Sequence, residues 1–172
     1  MENEEKKENT AVVGADGVFR FQGREYRCTL GKNGLTADKR EGDWTTPIGE
    51  FKLLKIYYRP DKLSAPETAI PTEALAPDDG WCDDPADQNY NQPVKLPYSA
   101  RHEELWRADD VYDIIGVLDY NYLQAVSGKG SAIFLHVAHE NFSPTAGCIA
   151  IGKNDLLNFL READTETVIK IG

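Results

Sequence analysis

The residues able to do chemistry in this chain concentrate between Ser131 and Gly152, SAIFLHVAHENFSPTAGCIAIG. An apolar run delivers His136, a turn-rich connection with Asn141, Ser143 and Pro144 follows, and Thr145-Ala146-Gly147-Cys148 then leads into Ile149-Ala150-Ile151. A thiol set between a glycine and an apolar run, with a histidine upstream, suits nucleophilic catalysis. Such a cysteine needs a base within hydrogen-bond reach and donors aimed at the developing oxyanion. His136 is the candidate base, since imidazole titrates near neutral pH and a thiol beside an imidazolium becomes a thiolate more readily. The backbone N–H groups around Gly147 and Cys148 are the candidate oxyanion donors, because glycine lets the main chain approach a substrate carbonyl without a Cβ clash. The competing reading makes Cys148 a small core hydrophobe.

Other constellations carry less. His136, His139 and Cys148 have metal-capable side chains, but positions i and i+3 of a strand face opposite sides and no further Cys/His pair completes a tetrahedral site, so no metal is expected. Asp83 and Asp84 are adjacent, whereas glycoside chemistry needs two carboxylates placed across a sugar. His102, beside Glu103 and Glu104, reads as a structural or helix-capping residue.

These groups must be positioned by a mainly β framework. Val18 to Phe21 and Glu25 to Leu30 alternate around the Gly-containing turn Gln22-Gly23-Arg24, the signature of a β-hairpin. Glu50 to Tyr58, Val111 to Leu118, Ala132 to Val137 and Thr167 to Ile171 read as further strands. A helix follows Gly152, starting at Lys153 or Asn154, with Leu156, Leu157, Phe159 and Leu160 as its apolar stripe. His102 to Arg107 is the candidate for a short second helix. Between Tyr58 and Pro97 stand prolines 60, 66, 71, 77, 85 and 93 among many Asp and Asn residues, so this stretch is expected to be mostly loop. A loop of that length inside one domain calls for a function. Trp81, Tyr90 and Asn91 lie in it and fit equally a plug over the sheet and a wall of the substrate cleft. With Thr145 and His139 they are the candidate substrate contacts, His139 at the rim.

Composition narrows the partners. The chain has 172 residues, a net charge of −10 and 41% hydrophobic residues. That is the profile of one soluble domain, large enough to build its own core. The acidic balance argues against nucleic-acid and anionic-membrane partners, which are bound through lysine and arginine. No run approaches the roughly 18 apolar residues of a membrane span. Three cysteines, Cys28, Cys82 and Cys148, are an odd set, and three reduced thiols are the simplest state. Residues 1–10, MENEEKKENT, read as a solvated tail with no hydrophobic signal segment, and 11–172 as one catalytic domain.

The arrangement of His136 followed by Thr145-Ala146-Gly147-Cys148-Ile149 resembles the L,D-transpeptidase catalytic domain family (the YkuD domain), whose signature is a strand histidine and then [S/T]-x-G-C with an apolar residue. Arg40 to Phe51, REGDWTTPIGEF, resembles that family's second recurrent segment, D-x-x-T-P-x-G-x-F. Gly80 to Pro85, Tyr90-Asn91 and Ser99 to Trp106 are similar to a short branch within it. Two positions depart from the commoner pattern: Ala146 stands where the family usually has His, and Ala150 where it usually has Arg.

The resemblance implies a β-sandwich with one or two short helices, no metal, no cofactor, and peptidoglycan stem peptides as substrate, met as a monomer in the periplasm or cell envelope. It implies that Cys148 forms a thioester acyl-enzyme, with His136 as base and then acid, its ring oriented by a carbonyl such as that of Val137. A diaminopimelate side-chain amine would then resolve the thioester. Water as acceptor would make a carboxypeptidase instead, and loss of chemistry would leave a cell-wall binding module. Ala150 removes a cation expected near the donor carboxylate, which leaves donor specificity open.

Overall fold

The structure, a computed structural model, describes residues 8–172. Most of the expected tail therefore lies outside the described residues, but its end is ordered. The Asn9 amide donates to Asp164 and Thr10 opens the first strand. Strands β1 (Thr10–Val13), β2 (Val18–Phe21) and β3 (Arg24–Thr29) run antiparallel in sequence. Gln22 and Gly23 join β2 to β3 with φ of 49° and 74°, the two positive values that a two-residue hairpin turn requires. The expected hairpin is present.

Next come β4 (Leu35–Thr36), β5 (Thr46–Pro47) and the long β6 (Gly49–Tyr58), then β7 (Thr72–Ala74), β8 (Asp79–Cys82), β9 (Pro93–Lys95) and β10 (His102–Glu104). The chain finishes with β11 (Ile114–Leu118), β12 (Phe134–Val137), β13 (Ile149–Ile151), helix α1 (Lys153–Glu162) and β14 (Val168–Ile171). The main sheet has nine strands in the order β11-β12-β13-β3-β2-β1-β14-β6-β7. It closes on itself because β6 is long enough to pair twice: Gly49 to Lys52 meet β14, and Leu53 to Tyr58 meet β11. Closure removes the edges that an open sheet would expose, giving a mainly β, barrel-like sandwich.

Two cores follow from alternation along the central strands. One side of β11 and β12, with Ile114, Leu118, Leu135 and Val137, packs with Phe19, Phe21, Ile149, Ile151 and the stripe Leu156, Phe159 and Leu160 of α1. The Phe159 ring meets those of Phe19 and Phe21 edge-on at 4.8 and 4.9 Å. The other side, with Ile115, Val117 and Phe134, is covered by Trp81, Leu105, Val111 and Tyr112. These strands are buried on both faces, which explains their near-continuous apolar runs.

The cover comes from the proline-rich excursion and the segment after it, where one expectation needs correction. The stretch up to Pro97 is mostly loop, as expected, but carries the short strands β7, β8 and β9, and His102 to Arg107 is β10 and a loop, not a second helix. β10, β8 and β9 form a separate small sheet. Strands of three or four residues are too short for periodicity to register. His102 lies opposite Cys82, and its ring Nδ1 meets the Ala100 carbonyl at 2.8 Å. All three cysteines are free and buried. No helix among the described residues is long and apolar enough to cross a membrane.

Because Phe159 is fully buried at the centre of the larger core, Phe159→Ala should cost about 3–5 kcal/mol in urea unfolding, against less than about 2 kcal/mol for the half-buried Leu157. Equal effects would contradict the packing of α1 as part of the core.

Candidate active site

The site is built by one parallel pairing. β12 runs beside β13 with Leu135 against Ile149 and His136 against Ala150. Alternation turns Leu135, Val137, Ile149 and Ile151 toward the larger core, so Phe134, His136 and Cys148 share the other face. That face opens into a cavity of about 580 Å³ lined by Cys148, His136, Gly147, Thr145 and His139, with Lys39, Glu41, Arg101, Glu103, Arg107 and Tyr112 among the other walls.

The turn before Cys148 is held by the second sequence motif. Thr46 Oγ1 accepts from the Gly31 N–H and donates to the Gly147 carbonyl, both at 2.8 Å. The Thr145 N–H donates to the Leu30 carbonyl, and the Lys32 N–H to the Thr145 carbonyl. Gly147 has φ of 146°, and a Cβ there would sit 2.8 Å from the Thr45 carbonyl oxygen. Only glycine fits this position. Lys39, buried beside the turn, pairs with Asp43 at 2.6 Å. Burial alone would raise the Asp43 carboxyl, but Lys39 and the backbone N–H groups of Arg40 and Thr45 hold it well below the usual range.

One sequence expectation about the turn changes. The Gly147 N–H is taken by Thr145 Oγ1 at 3.1 Å, and the same hydroxyl donates to the Cys148 carbonyl at 2.7 Å. Gly147 therefore shapes the turn without a free N–H, and Thr145 spends its hydroxyl on the turn although its residue lines the cleft.

The thiol and the imidazole line one cleft, with no hydrogen bond between them among the described residues. Cys148 Sγ donates to the Ala132 carbonyl at 3.1 Å and accepts from the Phe134 N–H at 3.4 Å. His136 Nδ1 lies 2.9 Å from the Val137 carbonyl. A carbonyl can only accept, so Nδ1 carries the proton and Nε2 is the free base. Burial pushes His136 down to about 4, with the Val137 carbonyl opposing. Burial also pushes the Cys148 thiol up to about 12, reinforced by Glu103 and opposed by the Phe134 N–H and Lys39. The thiolate beside an imidazolium expected from sequence is thus not the resting state. Desolvation penalises both charges, and a neutral pair remains.

Trp81, Tyr90 and Asn91 were candidate substrate contacts, and the structure places all three in the interior. Trp81 is 1% exposed and packs edge-on against Phe134. Asn91 Oδ1 accepts from Trp81 Nε1 and from the Ala132 N–H, each at 2.9 Å, while its Nδ2 donates to the Tyr120 and Asn121 carbonyls. Tyr90 donates to Glu41 and accepts from the Gly130 N–H. Their polar atoms are spent on one another, on Glu41 and on backbone groups, so they position the thiol's neighbours. Asn91 fixes Ala132, a non-glycine residue at φ of 52°, and the Ala132 carbonyl holds the thiol. His139 does lie exposed on the cleft rim.

Sequence reading missed the cleft residues Lys39, Glu103, Arg107 and Tyr112. Lys39 immediately precedes the REGDWTTPIGEF motif and Glu103 lies within the branch segment, so their neighbourhood was marked though their side chains were not. Tyr112 packs edge-on against the His136 ring at 5.4 Å, and Arg107, paired with Asp109, lies over the Tyr112 ring.

Thr46→Val should leave a buried N–H and a buried carbonyl unpaired and cost about 2–3 kcal/mol in denaturant unfolding. The lowered His136 value also sets a pH dependence. The unfolded chain takes the imidazole proton first as pH falls, so this contribution is complete above about pH 6.5 and is lost on the way down to about 4. Between about pH 6.5 and 5 the protein should lose about 1.6 kcal/mol more than a His136→Asn variant, measured by urea unfolding at each pH.

A family model described as the L,D-transpeptidase catalytic domain, YkuD, matches residues 6–171. A search of curated proteins returns no match. Among solved structures, an L,D-transpeptidase from Mycobacterium smegmatis is similar at 12% identity and a TM-score of 0.44, over 95% of this chain and 58% of that one. The L,D-transpeptidase LdtMt1 in complex with imipenem gives 13%, 0.43, 95% and 58%. Mycobacterium tuberculosis L,D-transpeptidase 1 gives 12%, 0.40, 94% and 60%. This chain thus spans under two thirds of each neighbour's length. With the family model matching nearly end to end, the chain belongs to the L,D-transpeptidase catalytic domain family.

Proposed function

We propose that this protein is a cysteine-dependent L,D-transpeptidase acting on peptidoglycan stem peptides in the cell envelope. The observation that carries the reading is the placement of Cys148 and His136 on one face of adjacent strands, in one cleft, with Nδ1 of the imidazole held by Val137 so that Nε2 is basic.

The chemistry then runs through these atoms. Substrate entering the cleft displaces water and draws the thiol from the Ala132 carbonyl toward His136. Nε2 takes the thiol proton as sulfur forms a bond to the donor carbonyl carbon, so charge develops only during attack. With the Gly147 N–H engaged, the Cys148 N–H is the oxyanion donor. The C–N bond to the distal residue breaks, and His136 returns its proton to that leaving amine. An acceptor amine, of the diaminopimelate type, then attacks the thioester and frees the thiol. His139 on the rim and the backbone around Thr145 and Ala146 are the substrate contacts this reading retains.

Ala150 bears on specificity. It is 1% exposed and stands opposite His136. The cations of the cleft come instead from other elements, Lys39 before β5 and Arg101 and Arg107 flanking β10.

Incubation with disaccharide tetrapeptides, followed by mass spectrometry, should give cross-linked dimers and a covalent acyl adduct on Cys148. Cys148→Ala should abolish both, a loss of at least about a thousandfold. Dimer yield surviving in that variant would sink the proposal, and a tripeptide product without dimer would make the protein a carboxypeptidase.

A further inference from the structure

The lysine and arginines lining the cleft are paired with carboxylates inside the protein, whereas its two glutamates are held only by hydroxyls. Lys39 has Asp43, Arg101 has Asp83 and Arg107 has Asp109. Glu41 accepts from two hydroxyls, those of Tyr90 and Ser131. Glu103, half-buried on β10, accepts from the Tyr112 hydroxyl at 2.8 Å and makes no salt bridge among the described residues. Arg107, the cation that acts on it, is gripped by Asp109 through both Nε and Nη2.

Glu103 also stands where it hinders the first step. Its field adds to burial in raising the Cys148 thiol, so nucleophile activation does not account for a carboxylate there. A negative charge facing a thioester is instead suited to a cationic nucleophile, and the acceptor of a transpeptidase arrives as an ammonium. Resting on the transpeptidase reading above, we infer that Glu103 is the acceptor receptor, its carboxylate holding the ammonium group of the incoming amine beside the Cys148 thioester and so favouring transfer over hydrolysis.

The step balances without another reactant. The bound R–NH3+ gives one proton to the Glu103 carboxylate, which passes it to solvent. The neutral nitrogen forms a C–N bond at the thioester carbonyl carbon, the C–S bond breaks, and a second nitrogen proton passes through His136 Nε2 to the departing sulfur. An amide, a free thiol and one released proton result. Burial, Asp83 and Glu41 raise the Glu103 carboxyl, against Tyr112 and Arg107, which brings its basicity nearer that of an amine.

The test separates the two half-reactions. With disaccharide tetrapeptide as donor and acceptor, Glu103→Gln should form the Cys148 acyl adduct at least as fast as wild type, because the opposing field is gone. Its ratio of dimer to hydrolysed tripeptide should fall about tenfold or more. Hydroxylamine, neutral at pH 7, should capture the acyl group equally in both proteins, and Glu103→Asp should recover part of the dimer. Adduct formation doubles as the folding control. An unchanged dimer-to-tripeptide ratio in an acylating Glu103→Gln protein, or an equal loss with hydroxylamine, would overturn this inference alone. If the glutamine variant does not fold, Glu103→Ser takes its place, and wild-type partitioning in that carboxylate-free protein would equally overturn the inference when hydroxylamine capture is also unchanged. Failure of wild type to acylate at Cys148 would overturn the transpeptidase reading and this inference with it.

Discussion

The parallel pairing of β12 with β13 sets which side chains can meet, and the cleft is a consequence of it. Side chains alternate along a strand, so with Leu135 against Ile149 and His136 against Ala150 the apolar set goes to the larger core and the thiol and imidazole to the opposite face. A one-residue slip of β12 would drive His136 into the apolar interior and expose Leu135, so core burial enforces the register. The turn entering β13 has no slack either. Gly147 has no room for a Cβ, and Thr46 ties its carbonyl to the Gly31 N–H across the chain. The two sequence motifs, far apart in the chain, are thus one structural device.

Burial of that face decides the electrostatics. A catalytic cysteine in an open, electropositive site is poised as thiolate, and it is also exposed to oxidation. Here desolvation outweighs Lys39 and the Phe134 N–H on the thiol, and outweighs the Val137 carbonyl on the imidazole. The thiol rests against the Ala132 carbonyl, whose backbone is fixed by Asn91 and Trp81. On the proposed function, activation would then belong to the moment of substrate binding. On the same proposal, the overall charge of −10 would do little to draw in carboxylate-bearing peptides, and capture would fall to local contacts within the cleft.

Much of this was legible in the sequence because it is local. The Gly23 turn between alternating residues specified a hairpin, the stripe from Leu156 to Leu160 specified the helix, and continuous apolar runs specified the doubly buried strands. The pairing of His136 with Cys148 was legible only as a resemblance and a spacing. What escaped was long-range. β8, β9 and β10 are too short to show periodicity and exist because they pair with each other and cover Phe134. Trp81, Tyr90 and Asn91 look alike in sequence whether they line a cleft or support it, and the difference is where their polar atoms end. Charge state escaped as well, since residue types do not state how much water they lose. Glu103 and Lys39 reach the cleft from segments whose positions depend on the whole topology.

The most direct measurement of the resting state is the pH dependence of Cys148 modification in the free protein, followed by mass spectrometry with a small neutral alkylating reagent. A neutral thiol and neutral imidazole should give a slow rate with no inflection between about pH 5 and 8, rising only toward alkaline pH as the thiol ionises near 12. An inflection near pH 6 to 7, with fast modification on a neutral plateau, would show a thiolate–imidazolium pair and contradict the desolvated neutral site.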